Sequence, residues 1–189
     1  MIISLLLVSV VTAADNKIAP RTREFVVNKK YLVYPIHNRG KTQRIVLKVD
    51  GKEVHKYYGA KVSLTDQKWI KWMFIDISPY MGKKMTLYVN RNTEEGFKLI
   101  RQEDRVPDQD QWYKEKMRPQ FHFSQPVGWN NDVNGTVYHD GEWHLCYQHN
   151  PVGLKWGNIS WGHAVSKDLI HWEQLPMAVT AHTMARGMC

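Results

Sequence analysis

The alternation of hydrophobic and polar side chains along the first half of the chain predicts β-strands. A period of two is typical of a strand with one buried face, and no stretch shows a helical period. The alternating or apolar runs are residues 25–35, 43–49, 54–58, 69–75 and 85–89. Asp50-Gly51 is a strong hairpin signal between the second and third runs. We therefore predict an all-β protein with a small β-sandwich-like domain over residues 20–105.

The second half also shows the pattern of β-strands, and we predict a second domain over residues 119–189. Short runs occupy residues 135–138, 142–148, 159–166 and 171–175. The turn His139-Asp140-Gly141 joins the first two. Four consecutive antiparallel strands form one blade of a β-propeller. Residues 106–118 are polar and aperiodic, which indicates a linker between the two domains.

The chain starts with an apolar run over residues 2–13, which is too short to span a bilayer comfortably. Small residues follow near Ala14, as in the cleavage region of a secretory signal peptide. We predict a signal peptide over residues 1–14 that lacks the usual positively charged start. The protein is then secreted or periplasmic, with no membrane span after signal removal. A buried N-terminal strand is the alternative interpretation.

The basic charge of the chain lies away from its motif-rich half. The net charge is +8, but residues 1–118 hold 23 Lys and Arg against 13 Asp and Glu, whereas residues 119–189 hold 3 against 5. A basic protein suggests a nucleic-acid or anionic-surface partner. Because the excess is typical of a solvated face of the first half, we predict no nucleic-acid partner. A β-rich module that binds an anionic polymer stays an alternative.

Neither the cysteines nor the histidines indicate a cofactor or a metal. Cys146 lies in an apolar-alternating run and Cys189 is the last residue, so no disulfide framework follows. His139, His144 and His149 are evenly spaced, but no Glu-bearing metal motif accompanies them and the sequence between them is strand-like. We predict that the protein uses no metal and no cofactor.

The heptad at residues 129–135, Trp-Asn-Asn-Asp-Val-Asn-Gly, has the most informative chemistry in the chain. Its carboxylate, Asp132, stands among amides and beside an indole, and this combination suits a sugar site. Amides hydrogen-bond hydroxyl groups, an indole offers a flat apolar face, and a carboxylate can attack or stabilise an oxocarbenium-like carbon. Taken alone, the heptad could also be a plain Asn-rich turn that ends in Gly.

Six further motifs surround the heptad in a fixed order. They are Phe121-His122-Phe123, Tyr147-Gln148-His149-Asn150-Pro151, Trp156-Gly157-Asn158, Trp161-Gly162-His163-Ala164, Ser166-Lys167-Asp168-Leu169 and His171-Trp172-Glu173-Gln174-Leu175-Pro176. With this spacing, residues 118–179 closely resemble the start of the catalytic domain of glycoside hydrolase family 32, which contains invertases, inulinases and levanases. The first domain is similar in pattern and position to the small β domain that precedes the catalytic domain in some levanase-like members.

The resemblance implies a five-bladed β-propeller that hydrolyses β-fructofuranosyl bonds with retention. It places the catalytic nucleophile on Asp132 and hydrogen bonds to the fructosyl ring on Asn131 and Gln148. Trp156 matches a position that lines the sugar pocket, and Asn158 is a further candidate at its border. These five residues are the site that we predict.

Two heptad residues depart from the family's usual pattern. Asn130 stands where the family has Met, and Val133 where it has Pro. With Val133 in place of Pro, one backbone dihedral is free and an N–H is present. This difference affects the rigidity of the loop more than the identity of the nucleophile.

The acid/base residue of the family has no counterpart in residues 1–189. The family's acid lies in a Glu-Cys motif, and a stabilising Asp lies in an Arg-Asp-Pro motif; neither motif occurs here. Glu142 and Glu173 do not match the acid's place. We therefore expect the N-terminal part of a secreted fructan-degrading hydrolase, with its acid/base residue beyond residue 189 and only the first propeller blade present. Alone, this part should be inactive.

The alternative function is a non-catalytic carbohydrate-binding protein with a degenerate family 32 pocket. In both cases the partner is a fructose-containing oligo- or polysaccharide. The pattern does not distinguish sucrose from inulin or levan, or endo from exo action, and it leaves the oligomeric state open.

Overall fold

The computed structural model describes residues 17–37, 41–66 and 71–180. The predicted signal peptide over residues 1–14 therefore lies outside the described residues, as does Cys189. Within the described part, the regular structure consists of eleven β-strands, one short α-helix and two single 3-10 turns. The predicted all-β class is confirmed.

The first seven strands form two antiparallel sheets around one hydrophobic core. Their bounds are β1 Ala19–Val26, β2 Tyr31–Ile36, β3 Gln43–Val49, β4 Lys52–Ala60, β5 Lys71–Asp76, β6 Lys84–Asn92 and β7 Arg101–Glu103. One sheet has the strand order β1-β6-β3-β4, and the other has the order β5-β2-β7. Leu32 and Met73 of the second sheet and Leu47 and Leu87 of the first are fully buried in the same cluster. Two sheets packed over a shared core are the layers of a β-sandwich.

The predicted strand over residues 25–35 is in fact two strands in different sheets. β1 pairs with β6, whereas β2 pairs with β5 and β7, so the chain crosses between the layers over residues 27–30. The Asn28 N–H donates to the side chain of Gln102 at 3.0 Å and holds this crossing. The polar triplet Asn28-Lys29-Lys30 is the sequence signal of the break.

A short α-helix, α1 Glu94–Lys98, lies outside the predicted runs, as does the three-residue strand β7. Thr93 caps it, because its hydroxyl accepts the Gly96 N–H at 3.0 Å. Five residues are too few to reveal a helical period. Across the described ranges, no helix is long and apolar enough to cross a membrane.

The predicted linker, residues 106–118, packs against the sheet of β5, β2 and β7. Val106 is buried in a small cluster with Val33 and Trp72. Trp112 stacks on Phe74 with ring centroids 5.8 Å apart. These aromatic and apolar contacts give the segment a fixed course along the first domain. The domain division itself stays a prediction.

The last four strands form a separate antiparallel meander. Their bounds are β8 Trp129–His139, β9 Glu142–Asn150, β10 Ser160–Ser166 and β11 Glu173–Val179, and the sheet order is β11-β10-β9-β8. Asp140 and Gly141 turn between β8 and β9 with φ values of 50° and 84°, as Asp50 and Gly51 do between β3 and β4. Left-handed residues at both turn positions match the right-handed twist of the strands.

β8 corrects one expectation about the heptad. We expected the strand to start at residue 135, with Asp132 just before it, whereas β8 already begins at Trp129. The whole heptad is therefore strand, not loop. The reason is that main-chain pairing with β9 does not depend on the polar side chains, which point to solvent along β8.

One face of the meander is closed by aromatic packing. The ring of Tyr147 lies so close to Gly162 that a Cβ there would be 2.2 Å from the ring. Phe123 contacts Tyr147 at 4.8 Å and Trp172 at 5.8 Å between ring centroids. The Tyr147 hydroxyl donates to Gln174 at 2.7 Å. Gly162 is thus required by the close approach of a large ring.

The two halves of the chain are in direct contact. The Asn158 side chain accepts the Tyr58 N–H at 2.7 Å and donates to the Tyr58 carbonyl, so it pairs with the edge strand β4 as another strand would. The Tyr34 hydroxyl donates to the Val152 carbonyl at 3.5 Å, and Val127 and Val152 join the core of the first half. The β9–β10 loop therefore positions the meander against the first domain.

We expect Asn158→Ala to lower the free energy of unfolding by about 1 kcal/mol, because two hydrogen bonds are lost while the freed Tyr58 groups regain water. Urea denaturation measures the change. Asn130→Ala removes an exposed asparagine of β8 and should change stability by much less. Equal effects of the two substitutions would contradict the assigned role of Asn158.

Candidate active site

A β-bulge brings Asp132 opposite Gln148. Asn130 pairs with His149 and Val133 pairs with Tyr147, so two residues of β8, Asn131 and Asp132, face one residue of β9. Such a bulge strengthens the local twist and re-aims the side chains of the strand. The structure therefore brings together three of the five predicted site residues.

Two polar side chains at the bulge contact each other, and the third is open to solvent. The Asn131 amide donates to the Gln148 side-chain oxygen at 3.4 Å. Asp132 is exposed and Gln148 is half-buried. One carboxylate with two neighbouring amides can bind hydroxyl groups and present a negative charge to an electron-poor carbon.

Residues beside the bulge fix its position. His149 is buried, and its Nδ1 donates to the Trp129 carbonyl at 3.0 Å. The Gln125 amide donates to the Gly128 carbonyl at 2.9 Å. Gly128 has a φ of 99°, and a Cβ there would lie 2.6 Å from the Asn150 carbonyl oxygen, so only glycine fits. Two hydrogen bonds and the close approach at Gly128 thus fix the start of β8.

The bond from His149 fixes its tautomer, and burial keeps its ring neutral. A carbonyl oxygen only accepts, so Nδ1 must carry the hydrogen. Burial lowers the pKa of His149 from 6.5 to about 4, and the bond to the Trp129 carbonyl opposes this shift. The imidazole is therefore neutral near pH 7.

Trp156 and Asn158, the other two predicted site residues, line a separate cavity of about 480 Å³. Strand β4 forms one wall and the β9–β10 loop the other; we call it the β4–loop cavity. Trp156 is 73% exposed, whereas the Asn158 side chain is hydrogen-bonded to the main chain of Tyr58. Asn150 shapes the loop, since its amide donates to the Lys155 carbonyl at 2.7 Å. Contact of either residue with a substrate stays a prediction.

The other carboxylates of the meander lie at its far end from Asp132. Asp140 and Glu142 flank the β8–β9 turn, and Glu173 pairs with Val165, which in turn pairs with His144. Gln148 lies six positions after Glu142 along β9, a distance of roughly 20 Å. None of these groups is near the bulge.

His144 of β9 and His163 of β10 form a close pair. Nδ1 of His144 lies 3.0 Å from Nε2 of His163. Among the residues with described positions, no group of three or more His, Cys, Asp or Glu could hold a metal ion. Burial, followed by the charge of His144, lowers the pKa of His163.

The sequence did not single out the residues that hold the bulge in place. His149 and Asn150 lie within a quoted motif, but nothing in the motif shows that one holds the Trp129 carbonyl and the other shapes a loop. Gly128 directly precedes the heptad, and a glycine before a strand is the available signal of a special backbone conformation. Tyr58 has no such signal, because its role depends on the contact between the two halves.

Comparison with known proteins gives the family that the second half of the chain resembles. Residues 122–188 match the family model of the "Glycosyl hydrolases family 32 N-terminal domain". This segment contains the bulge, the β4–loop cavity's Trp156 and Asn158, and the quoted motifs from residue 122 onward. Over this segment, the predicted resemblance to glycoside hydrolase family 32 is confirmed.

Several relatives match about a third of the chain. The extracellular exo-inulinase of Aspergillus awamori is 55% identical over 69 residues, which are 36% of this chain and 13% of the inulinase. The levanase of Bacillus subtilis is 57% identical over 68 residues, 36% of this chain and 10% of that protein. Beta-fructofuranosidase 1 of Zea mays is 58% identical over 62 residues, which are 33% of this chain and 9% of that protein.

Among solved structures, exo-inulinase from Aspergillus awamori aligns at 54% identity with a TM-score of 0.35, covering 36% of this chain and 13% of that one. The chain thus spans about a tenth of the length of the relatives that it matches.

We expect stability to fall as the pH drops from about 6.5 to about 4, because the unfolded His149 takes up a proton that the folded one refuses. The contribution of neutral His149 to the free energy of unfolding is fully present above the pKa of His149 in the unfolded chain. It is lost as the pH falls to the pKa of His149 in the folded protein, a change of roughly 3 kcal/mol. Urea denaturation across this range measures it. His149→Gln should flatten the profile, and exposed His122→Gln should leave it unchanged. A profile that His149→Gln leaves equally steep would contradict the assignment.

Proposed function

We propose that the full-length protein is a secreted, fructan-degrading hydrolase that cleaves β-fructofuranosidic bonds with retention of configuration. The observation that supports this most directly is the bulge that gathers Asn131, Asp132 and Gln148 within the family 32 segment. Relatives of this segment are named exo-inulinase, levanase and beta-fructofuranosidase.

Asp132 is the nucleophile in this proposal. Its carboxylate attacks the anomeric carbon of the fructosyl unit, the bond to the leaving oxygen breaks, and a covalent fructosyl-enzyme forms; water then hydrolyses it. The amides of Asn131 and Gln148 hydrogen-bond fructosyl hydroxyls and orient the ring. The exposed position of Asp132 in the bulge supports this role, because its carboxylate is accessible to an approaching sugar.

The leaving oxygen needs a proton from a second carboxyl group about 5–5.5 Å from the nucleophile. Glu142 and Glu173 are unsuited, because the register places both at the other end of the meander. We therefore assign the acid to neither. The family resemblance locates it in a Glu-Cys segment that residues 1–189 do not contain.

The meander β8–β11 is, in this proposal, one blade of the family's five-bladed β-propeller, preceded by a β-sandwich domain over residues 20–105. Two features support the blade. Its four strands pair in sequence order. β8 also exposes Val133, Val137 and Tyr138 at 66%, 57% and 57%, as expected of a strand that faces further blades.

Secretion is supported by two independent observations. The apolar run at residues 2–13 has the character of a signal peptide. One relative of the segment is named an extracellular exo-inulinase. The proposed partner is a fructose-containing oligo- or polysaccharide.

A non-catalytic carbohydrate-binding protein is the second candidate. The observation that favours it is the position of the meander's other carboxylates, since a pocket with Asp132 alone can bind a sugar but cannot protonate a leaving group. Hydrolysis of sucrose, inulin or levan by the full-length protein separates the two candidates.

Asp132→Asn should reduce kcat on a fructan by roughly a thousandfold or more, because the amide keeps the size and hydrogen bonding of the carboxylate but not its nucleophilic charge. Release of fructose by the full-length protein measures it. Asp140→Asn, at the far end of the same strand pair, is the matched control and should keep wild-type turnover. Unchanged kinetics of Asp132→Asn would exclude it as the nucleophile.

Gln148→Ala and Trp156→Ala should each weaken substrate binding about tenfold and leave the Tm close to wild type, since neither side chain is buried in the core. KM and thermal unfolding are the two measurements. Trp112→Ala, which removes the stack on Phe74, should instead lower the Tm without changing KM. If the two site variants behave like Trp112→Ala, both residues are structural.

A further inference from the structure

We propose that the β4–loop cavity is an additional carbohydrate subsite in which Tyr58 and Trp156 bind a further sugar unit of the fructan chain. The inference rests on the function proposed above and adds to it a role for the first domain: Tyr58 would help to determine whether the enzyme prefers polymers to short substrates.

The first argument is the pairing of two exposed aromatic rings at one concave surface. Tyr58 comes from strand β4 and Trp156 from the β9–β10 loop, and they remain 52% and 73% exposed although both line the cavity. A cavity of about 480 Å³ lies within the size range of small-molecule sites. Flat rings with an accessible face suit the apolar C–H face of a sugar.

The second argument is that the Tyr58 wall is held rigidly against the Trp156 wall. Asn158, two residues from Trp156, bonds both the N–H and the carbonyl of Tyr58. Asn150 fixes the same loop through the Lys155 carbonyl and the Val152 N–H. A subsite whose walls are already in place binds a sugar with a smaller loss of conformational entropy.

The third argument is the character of the polar groups. Lys56, Lys61 and Lys155 line the cavity, and none of its described lining residues is an Asp or Glu. Ammonium groups donate hydrogen bonds to hydroxyl oxygens. Glu53, outside the lining, pairs with Lys56 at 3.2 Å and partly balances its charge. The apolar Ile36 and Leu154 lie beside these donors, and donors next to apolar surface suit the hydroxyl and C–H groups of a sugar.

The test compares a short and a long ligand in the full-length protein, with Asp132→Asn present to prevent turnover. Calorimetry gives the Kd for sucrose and for a linear fructo-oligosaccharide prepared from inulin. Tyr58→Ala should weaken oligosaccharide binding on the order of tenfold and leave sucrose binding unchanged, whereas Tyr58→Phe should retain it. Tyr113→Ala removes a comparably exposed tyrosine that does not line the cavity and should change neither value.

Tyr58→Thr provides a second variant whose β-branched side chain suits an edge strand, should the alanine variant fold poorly. Oligosaccharide binding that is insensitive to both Tyr58 substitutions would overturn the subsite and leave the proposed function intact. Absence of sucrose and oligosaccharide binding, with no turnover by the wild type, would overturn both. A steep fall of oligosaccharide affinity with added salt would indicate a site for charged groups instead.

Discussion

The candidate site depends on one irregularity of strand pairing, the bulge at which Asn131 and Asp132 of β8 face Gln148 alone on β9. In a regular antiparallel pair, consecutive side chains point to opposite faces of the sheet, so a carboxylate and the amide before it would be separated. The extra residue breaks this alternation and places the carboxylate and two amides at one sheet edge. The chemistry therefore follows from main-chain geometry as much as from residue type.

The bulge is stabilised by a hydrogen bond and a close backbone approach among the buried groups around it. Neutral His149 must satisfy the Trp129 carbonyl, and Gly128 has no space for a side chain against the Asn150 carbonyl. On the same face as His149, with ring centroids 5.6 Å apart, the Tyr147 ring fills the space above Gly162. Shifting β8 by one residue would leave these groups unpaired or in collision, so the register that exposes Asp132 is strongly favoured.

The contact between the halves gives the first domain a part in shaping the same region. Asn158 continues the hydrogen-bonding of the edge strand β4, which would otherwise present unpaired main-chain groups to solvent. The same contact brings Tyr58 beside the loop of Trp156. A side chain predicted to bind sugar thus joins the two sheets, and the residue that it positions becomes the new candidate for recognition.

The sequence by itself determined the all-β class, the two Asp-Gly hairpins and the family of the second half, because these depend on local periodicity, turn chemistry and short motifs. It also selected Asp132, Asn131 and Gln148, which the structure brings together. Tertiary structure decided the rest. The layer crossing at residues 27–30, the strand character of the heptad and the partner of Asn158 depend on pairings between distant segments. A local pattern does not encode which strand lies next to which, so Tyr58 could not be selected from the sequence.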